Sequence, residues 1–175
     1  MEGKDNALQK LQRAASDPRW RIREAVAMAL QMIGLFDMDW LIAIAVKWVK
    51  GNYYEQRAAV AGLCEPSLLW DKRHAGNLFK ILNISTENIV DSEDRGSDGF
   101  QVLKKGLGYC WSVAVAAYPD EGKVAMERWL ESNNSDIRWI IKQNLNKKRL
   151  RMTDSEWVRK MQDKLNSSPL VMNDN

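Results

Sequence analysis

The residues best suited to bind a ligand are basic side chains that recur at matching places in successive helical segments. Arg23, Arg57 and Arg138 stand at corresponding positions, and Lys104 or Lys105 stands near the corresponding position of a further segment. If the segments stack on one another, these cations form a ladder along one face. Regularly spaced Arg and Lys neutralise phosphates, so a nucleic-acid backbone is one ligand that such a ladder could hold.

The same ladder has a structural interpretation, which the sequence favours. An arginine that is even partly buried usually has an acidic partner. Aspartates stand in or beside three of the predicted turns: Asp17, Asp98 and Asp136. Each could pair with a cation of a neighbouring segment, and such pairing would leave little of the ladder for a ligand.

A second group of cations lies between Lys142 and Lys164, flanked by Trp139 and Trp157. Basic charge of this kind attracts a polyanion, and indole rings can stack on bases. The alternative, which we favour, is a solvated outer surface on the last segment, because a stack of helices needs polar ends to stay in solution.

The usual catalytic and metal-binding patterns are missing from the sequence. Cys64 and Cys110 each lie in an apolar helical pattern without a CxxC neighbour, and His74 is the only histidine. No phosphate loop, nucleophile elbow or zinc-protease motif occurs. We therefore predict no catalytic residue, no metal site and no cofactor. The two cysteines are predicted to be buried free thiols, as expected of a cytoplasmic protein.

Composition indicates one helical domain. The 175 residues are 45% hydrophobic, with four prolines, ten glycines and a net charge of +3 from 26 basic and 23 acidic residues. This balance does not by itself indicate a nucleic-acid partner, and the residue types favour an all-α fold. We predict a single domain over residues 1–165 and a frayed tail over residues 166–175. No apolar run is long enough for a membrane span, so we expect a soluble protein.

The repeating unit is a polar turn followed by a helix with an apolar stripe. At Asp17-Pro18 the aspartate is predicted to cap a helix that starts near Arg19 and ends at Gly34. Residues 54–64 align with residues 20–30 at an offset of 34, a period typical of helical repeats. Residues 67–83 predict another helix, and residues 84–99 predict an acidic loop with a short helix at most.

Other elements follow from capping residues and apolar periodicity. Further helix starts are predicted at Asp37 or Asp39, Tyr53, Phe100, Pro119, Asn133–Asp136 and Thr153–Glu156. Five tryptophans lie on or beside apolar stripes and are predicted to be core residues: Trp40, Trp48, Trp111, Trp129 and Trp157.

The turn Asp17-Pro18 with the following Ile22-Arg23-Glu24-Ala25-Val26 resembles the HEAT and HEAT-like repeat superfamily. The resemblance implies an α-solenoid of about four to five antiparallel helix pairs, in which the second helix of each pair lines a concave face. It also implies a candidate ligand-binding set on that face: Trp20, Arg23, Tyr54, Arg57, Lys104, Lys105, Arg138, Trp139 and Lys142.

The superfamily includes scaffold proteins and alkylpurine DNA glycosylases. The glycosylase pattern requires a Trp, an Asp one helical turn later, and an Arg near an aromatic on the next repeat helix. Trp40 and Arg57 with Tyr54 resemble this pattern, but Ile44 stands where the acid is required. Our leading hypothesis is a non-enzymatic protein that binds a protein or polyanionic partner. The alternative is a DNA-binding relative of these glycosylases that lacks the catalytic Asp, and the oligomeric state stays open.

Overall fold

The computed structural model describes residues 2–167, and within this range every regular element is helical. The ten α-helices are α1 (Glu2–Ala15), α2 (Trp20–Phe36), α3 (Met38–Trp48), α4 (Tyr53–Leu63), α5 (Ala75–Val90), α6 (Asp98–Ala117), α7 (Pro119–Glu127), α8 (Ser135–Leu145), α9 (Lys148–Thr153) and α10 (Ser155–Ser167). Three short 3-10 helices cover Pro66–Leu68, Lys72–His74 and Arg128–Glu131. The predicted all-α class is confirmed.

The even-numbered helices from α2 to α8 form a row. α2 packs on α4, α4 on α6 and α6 on α8, and these are the most extensive contacts between elements. α3 packs on α2 and α4, α5 packs on α4 and α6, and α7 packs on α5 and α6. One continuous apolar core lies between these helices, and its fully buried side chains include Leu30, Leu63, Leu107 and Trp111.

Side-chain caps explain where several helices begin. Asn52 accepts hydrogen bonds from the backbone N–H groups of Tyr54 and Glu55, and Glu55 accepts one from the backbone N–H of Asn52, which completes a capping box. Asp37 caps α3 through the N–H of Trp40 at 2.9 Å. The predicted helix starts at Asp37 and Tyr53 are therefore confirmed.

The predicted start of α2 near Arg19 is confirmed, because Arg19 is the N-cap and the helix begins at Trp20, but the predicted cap residue and the predicted end are wrong. Asp17 accepts hydrogen bonds from the backbone and the guanidinium of Arg19, which lower the pKa of its carboxyl group to about 2, and it does not cap the helix. Gly34 lies inside α2, which continues to Phe36. A Cβ atom at Gly34 would lie 2.7 Å from Cδ2 of Leu41, so this glycine permits close packing rather than a C-cap.

The segment from residue 67 to residue 99 also differs from the prediction. The first part contains two 3-10 turns, and α5 begins only at Ala75 and continues to Val90, through half of the predicted acidic loop. Ile81, Leu82 and Ile89 are buried, so apolar contacts hold α5 together where local acidic residues suggested a loop. The loop that remains is short, because Ser97 caps α6 through the N–H of Phe100.

Most of the predicted core tryptophans are buried, with one exception. Trp48 and Trp111 are completely enclosed, Trp157 is buried and Trp129 packs half-buried against the core. Trp40 is exposed in the first turn of α3, where the ammonium group of Lys4 lies 5.4 Å from the centre of its ring. Its prediction as a core residue is wrong.

The described part of the chain ends with two helices that cover α8. α9 and α10 both pack on α8, and Asp154 caps α10 through the N–H of Trp157. α10 extends to Ser167, two residues into the segment predicted as a tail, and residues 168–175 lie outside the described range. Among residues 2–167, no helix combines the length and apolarity needed to cross a membrane.

Candidate functional site

A groove of about 460 Å³ runs across the exposed surface of α2, α4 and α6. We call it the α2–α4–α6 groove. α2 contributes Trp20, Arg23, Glu24, Ala27, Met28 and Gln31; α4 and the residues after it contribute Arg57, Ala61, Cys64 and Glu65; α6 contributes Val102, Lys105, Gly106, Tyr109 and Cys110. Four of the predicted ligand-binding residues line it: Trp20, Arg23, Arg57 and Lys105.

Arg23 is held by the turn that precedes its own helix. Its Nη1 atom donates to the backbone carbonyls of Asp17 at 2.7 Å and Pro18 at 2.9 Å. The guanidinium also lies over the ring of Tyr54, 5.2 Å from its centre. The carboxylate of Asp17 is occupied by Arg19, so the predicted partnership between this turn and a repeat arginine exists, but through carbonyl oxygens.

Arg57 links α4 to α2. Its Nη1 atom donates to the carbonyl of Arg23 at 3.2 Å, and its Nη2 atom forms an ion pair with Glu24. The Arg57 side chain is only 15% exposed, whereas that of Glu24 is 46% exposed. The guanidinium is thus fixed by a carboxylate of the neighbouring helix, and Glu24 places an acid inside the groove. Glu24 is not among the acidic partners predicted from the sequence.

Lys104, Arg138 and Trp139 lie at the contacts of α8 with α6 and α10. Lys104 donates to Asp136 at 2.6 Å, and its ammonium group lies 4.9 Å from the centre of the Trp139 ring. Arg138 donates to the backbone carbonyl of Leu165. Trp139 packs on Gly108, where a Cβ atom would lie 3.0 Å from its ring. These residues hold the row of helices together, and Lys142 is exposed on α8.

The structural interpretation of the ladder is therefore the one that the contacts favour. Arg23, Arg57, Lys104 and Arg138 all have intramolecular partners. Within residues 2–167, Asp136 is the one predicted turn aspartate that pairs with a ladder cation, because Asp17 pairs with Arg19 and Asp98 forms no ion pair.

The exposed Tyr109 marks a basic rim at the α6 side of the groove. Its ring centre lies 4.5 Å from the guanidinium of Arg149 and 5.7 Å from the ammonium of Lys147, and its hydroxyl oxygen accepts a hydrogen bond of 2.6 Å from Arg149. Lys105 lies one helical turn before Tyr109 on α6. Lys147 and Arg149 belong to the predicted group of cations between Lys142 and Lys164. Tyr109 was not predicted, although the spacing of Lys105 and Tyr109 places both on one helix face.

Two buried thiols lie at the base of the groove. Cys64 and Cys110 are free, buried and both border this space. Burial, followed by the neighbouring thiol of Cys110, raises the pKa of Cys64 well above its ordinary value. A protonated, enclosed thiol is a poor nucleophile and a poor metal ligand. No group of three or more His, Cys, Asp or Glu side chains within residues 2–167 has the arrangement of a metal site.

The groove combines apolar surface with both signs of charge. Trp20, 62% exposed, and Met28, 63% exposed, form one wall, and Tyr109 forms the other. Glu24 and Glu65 offset part of the charge of Lys105 and the basic rim. Comparisons of the chain with known protein families, with curated proteins and with solved structures return no match.

Proposed function

We propose that this chain is a non-enzymatic HEAT-like repeat protein that binds a segment of a protein partner in the α2–α4–α6 groove. The observation that carries this proposal is the mixed lining of the groove, in which exposed Trp20, Met28 and Tyr109 lie beside carboxylates and cations. Aromatic side chains and Met are enriched in the cores of protein interfaces. The HEAT-like solenoid, with the row from α2 to α8 as its concave layer, is part of the proposal.

The contacts of the repeat cations support a protein partner over a nucleic acid. A phosphate backbone is held by cations that are free to reach it. Arg23 and Arg57 are engaged with carbonyl oxygens and Glu24, and the carboxylate of Glu24 would repel a phosphate in the same groove. A peptide can instead match apolar, basic and acidic groups together.

A repeat glycosylase mechanism has no support in the groove. Trp40, which the resemblance pairs with Arg57, lies on α3, and α3 contributes no residue to the groove. Ile44, at the position of the required acid, is buried in the core. We therefore propose a binding role without base excision.

Peptide selection on the full chain tests the proposal. Peptides selected from a random library are expected to bind the wild type and to lose at least about tenfold in affinity against Tyr109→Ala, because removal of a central aromatic contact costs about 2 kcal/mol or more. Ala61→Trp, which fills the groove, is expected to block the same peptides. Val124→Trp, at an exposed site on α7 away from the groove, is the matched control. Peptides that bind all four proteins equally would contradict the proposal.

The second candidate, a DNA-binding relative of the alkylpurine glycosylases, rests on the basic rim around Tyr109. The test is duplex DNA binding measured by fluorescence anisotropy at increasing salt. Neutralisation of several phosphates predicts a steep fall of affinity with salt and a further loss in Lys105→Glu combined with Lys142→Glu, because both side chains are exposed. We expect weak binding at most. Tight, salt-dependent binding, or release of alkylated bases, would favour this second candidate.

A further inference from the structure

Helix α2 is packed on one side and open on the other. On the packed side, Leu30 contacts α4 at Gly62, and Gln31 donates to the carbonyl of Ala61 at 3.2 Å. The open side of α2 consists of exposed residues spaced three or four apart: Arg21, Ala25, Met28, Met32 and Phe36. Met28 lies at the border of this side and also lines the α2–α4–α6 groove, whereas the other four do not line it. At about 100° per residue the whole set covers an arc of roughly 80°, well away from the packed side.

The open side is apolar over most of its length. Met32 is 54% exposed and Phe36 is 87% exposed, and Trp70 shares a small hollow with Phe36 at the same end. Such a continuous apolar stripe on a soluble helix marks a contact surface. Glu24 is the one acid of α2, and it points into the groove towards Arg57. No carboxylate of α2 therefore opposes packing of another helix on the open side.

We propose that the open side of α2 binds the open side of α2 in a second copy of this chain, in an antiparallel pair about a twofold axis. The sequence of the stripe is self-complementary in this arrangement. With the axis between Met28 and Ala29, Arg21 of one copy faces Phe36 of the other, and Ala25 faces Met32. A small residue thus meets a large one, and a guanidinium meets an aromatic ring.

Charge also favours the antiparallel arrangement. Arg21 lies in the first turn of α2 and comes beside the end of the other copy's α2, where the carbonyl groups and the exposed carboxylate of Asp37 are negative. The two Arg21 side chains lie at opposite ends of the contact and do not repel each other. A parallel pair would instead bring them together.

The other end of the helix row prevents open-ended growth. α10 covers α8 there, and it presents charged, exposed residues outward, among them Glu156, Arg159 and Lys160. Packing of the apolar open side on this surface would bury charges without partners. A contact between the open sides of two copies avoids this cost, and it closes after two copies.

Measurement of mass in solution tests the proposal. The full chain is expected to sediment at twice the mass of one chain. Met32→Glu is expected to raise the dissociation constant of the dimer at least about 100-fold, because it buries two carboxylates at the contact. Met152→Glu, an exposed methionine on α9, is the matched control and leaves the dimer intact. A monomeric wild type, or equal effects of the two substitutions, would overturn the proposal.

A cross-linking experiment tests the register. Met28→Cys places a thiol next to the axis, so mild oxidation is expected to give a covalent dimer in high yield. Met152→Cys is the control, and the natural thiols are buried and stay out of the reaction. Equal cross-linking of both variants would show random collision and would overturn the twofold pairing.

Discussion

The two ends of the helix row present different surfaces. At one end α8 is covered by α9 and α10, and the outward surface of α10 is charged. At the other end α2 packs on α1, α3 and α4, and its remaining side carries exposed Met28, Met32 and Phe36. The first end is a solvated cap and the second is a contact surface. Stacked helices require such caps where the stack stops, so the apolar end indicates a missing neighbour.

The largest contrast is expected between two tryptophans, one at each end. Trp157 is only 9% exposed, and its indole N–H donates to Glu127 at 2.7 Å. Trp157→Ala is expected to lower the free energy of unfolding by about 3–5 kcal/mol, because it leaves a cavity and an unpaired acceptor. Trp20→Ala removes an exposed ring and is expected to change the free energy of unfolding by less than about 0.5 kcal/mol.

Urea denaturation at a protein concentration where the chain is monomeric measures both values. Equal losses of unfolding free energy in the two variants would mean that the two tryptophans are equally buried. The contrast between cap and contact surface would then disappear.

A second prediction concerns the packed side of α2. A Cβ atom at Gly62 would lie 2.8 Å from Cβ of Leu30, an atom that cannot move without the helix. Gly62→Ala is therefore expected to cost about 1–3 kcal/mol by forcing α4 away from α2. Gly76→Ala, where nothing lies within 4 Å, is the control and is expected to stabilise the chain by up to about 0.5 kcal/mol. Thermal denaturation of both variants distinguishes the outcomes, and a neutral Gly62→Ala would show a loose contact between α2 and α4.

The smallest expected effects concern one carboxylate near each end. Hydrogen bonds from Arg19 lower the pKa of Asp17 from 3.8 to about 2, and a hydrogen bond from Lys123 lowers the pKa of Asp154. A lowered pKa in the folded state stabilises the protein above about pH 4, and for Asp17 this contribution is lost as the pH falls from about 4 to about 2.

Urea midpoints at several pH values test this expectation. Asp154→Asn is expected to lower the midpoint at pH 6 more than Asp17→Asn does, because Lys123 joins α7 to the start of α10, whereas Arg19 is only two residues from Asp17. Both differences from wild type are expected to shrink in acid. A difference that persists in acid would show that the substitution acts through packing, and Glu156→Gln is the exposed control.

Local sequence signals predicted much of the fold. The capping residues Asp37 and Asp154 and the apolar stripes correctly predicted helices and several of their starts. The errors at Gly34 and at residues 84–90 have one cause. In both places distant apolar contacts decide the local conformation, with Leu41 and Leu68 against Gly34 and the core around Ile89. Those contacts join residues that are distant in the sequence, so a short window of sequence does not predict them.

The candidate site was predictable only in part, for a similar reason. Equivalent repeat positions identified Arg23, Arg57 and Lys105 as residues near one surface, and they line the groove. The partners that occupy Arg23 and Arg57 are backbone carbonyls and Glu24, which no spacing rule distinguishes from other candidates. Tyr109 gains its basic surroundings from α9, a helix that follows it by about 40 residues and packs on α6.

The two thiols at the base of the groove allow chemical modification to report on the contact between α4 and α6. Cys64 directly follows α4, Cys110 lies in α6, and the Cys110 thiol lies 3.6 Å from the carbonyl of Val60. Because both are enclosed, and the Cys64 thiol is held protonated, an alkylating reagent reaches them only while the two helices are apart. The rate of thiol modification in native buffer thus reports how often the centre of the molecule opens, independently of the ends.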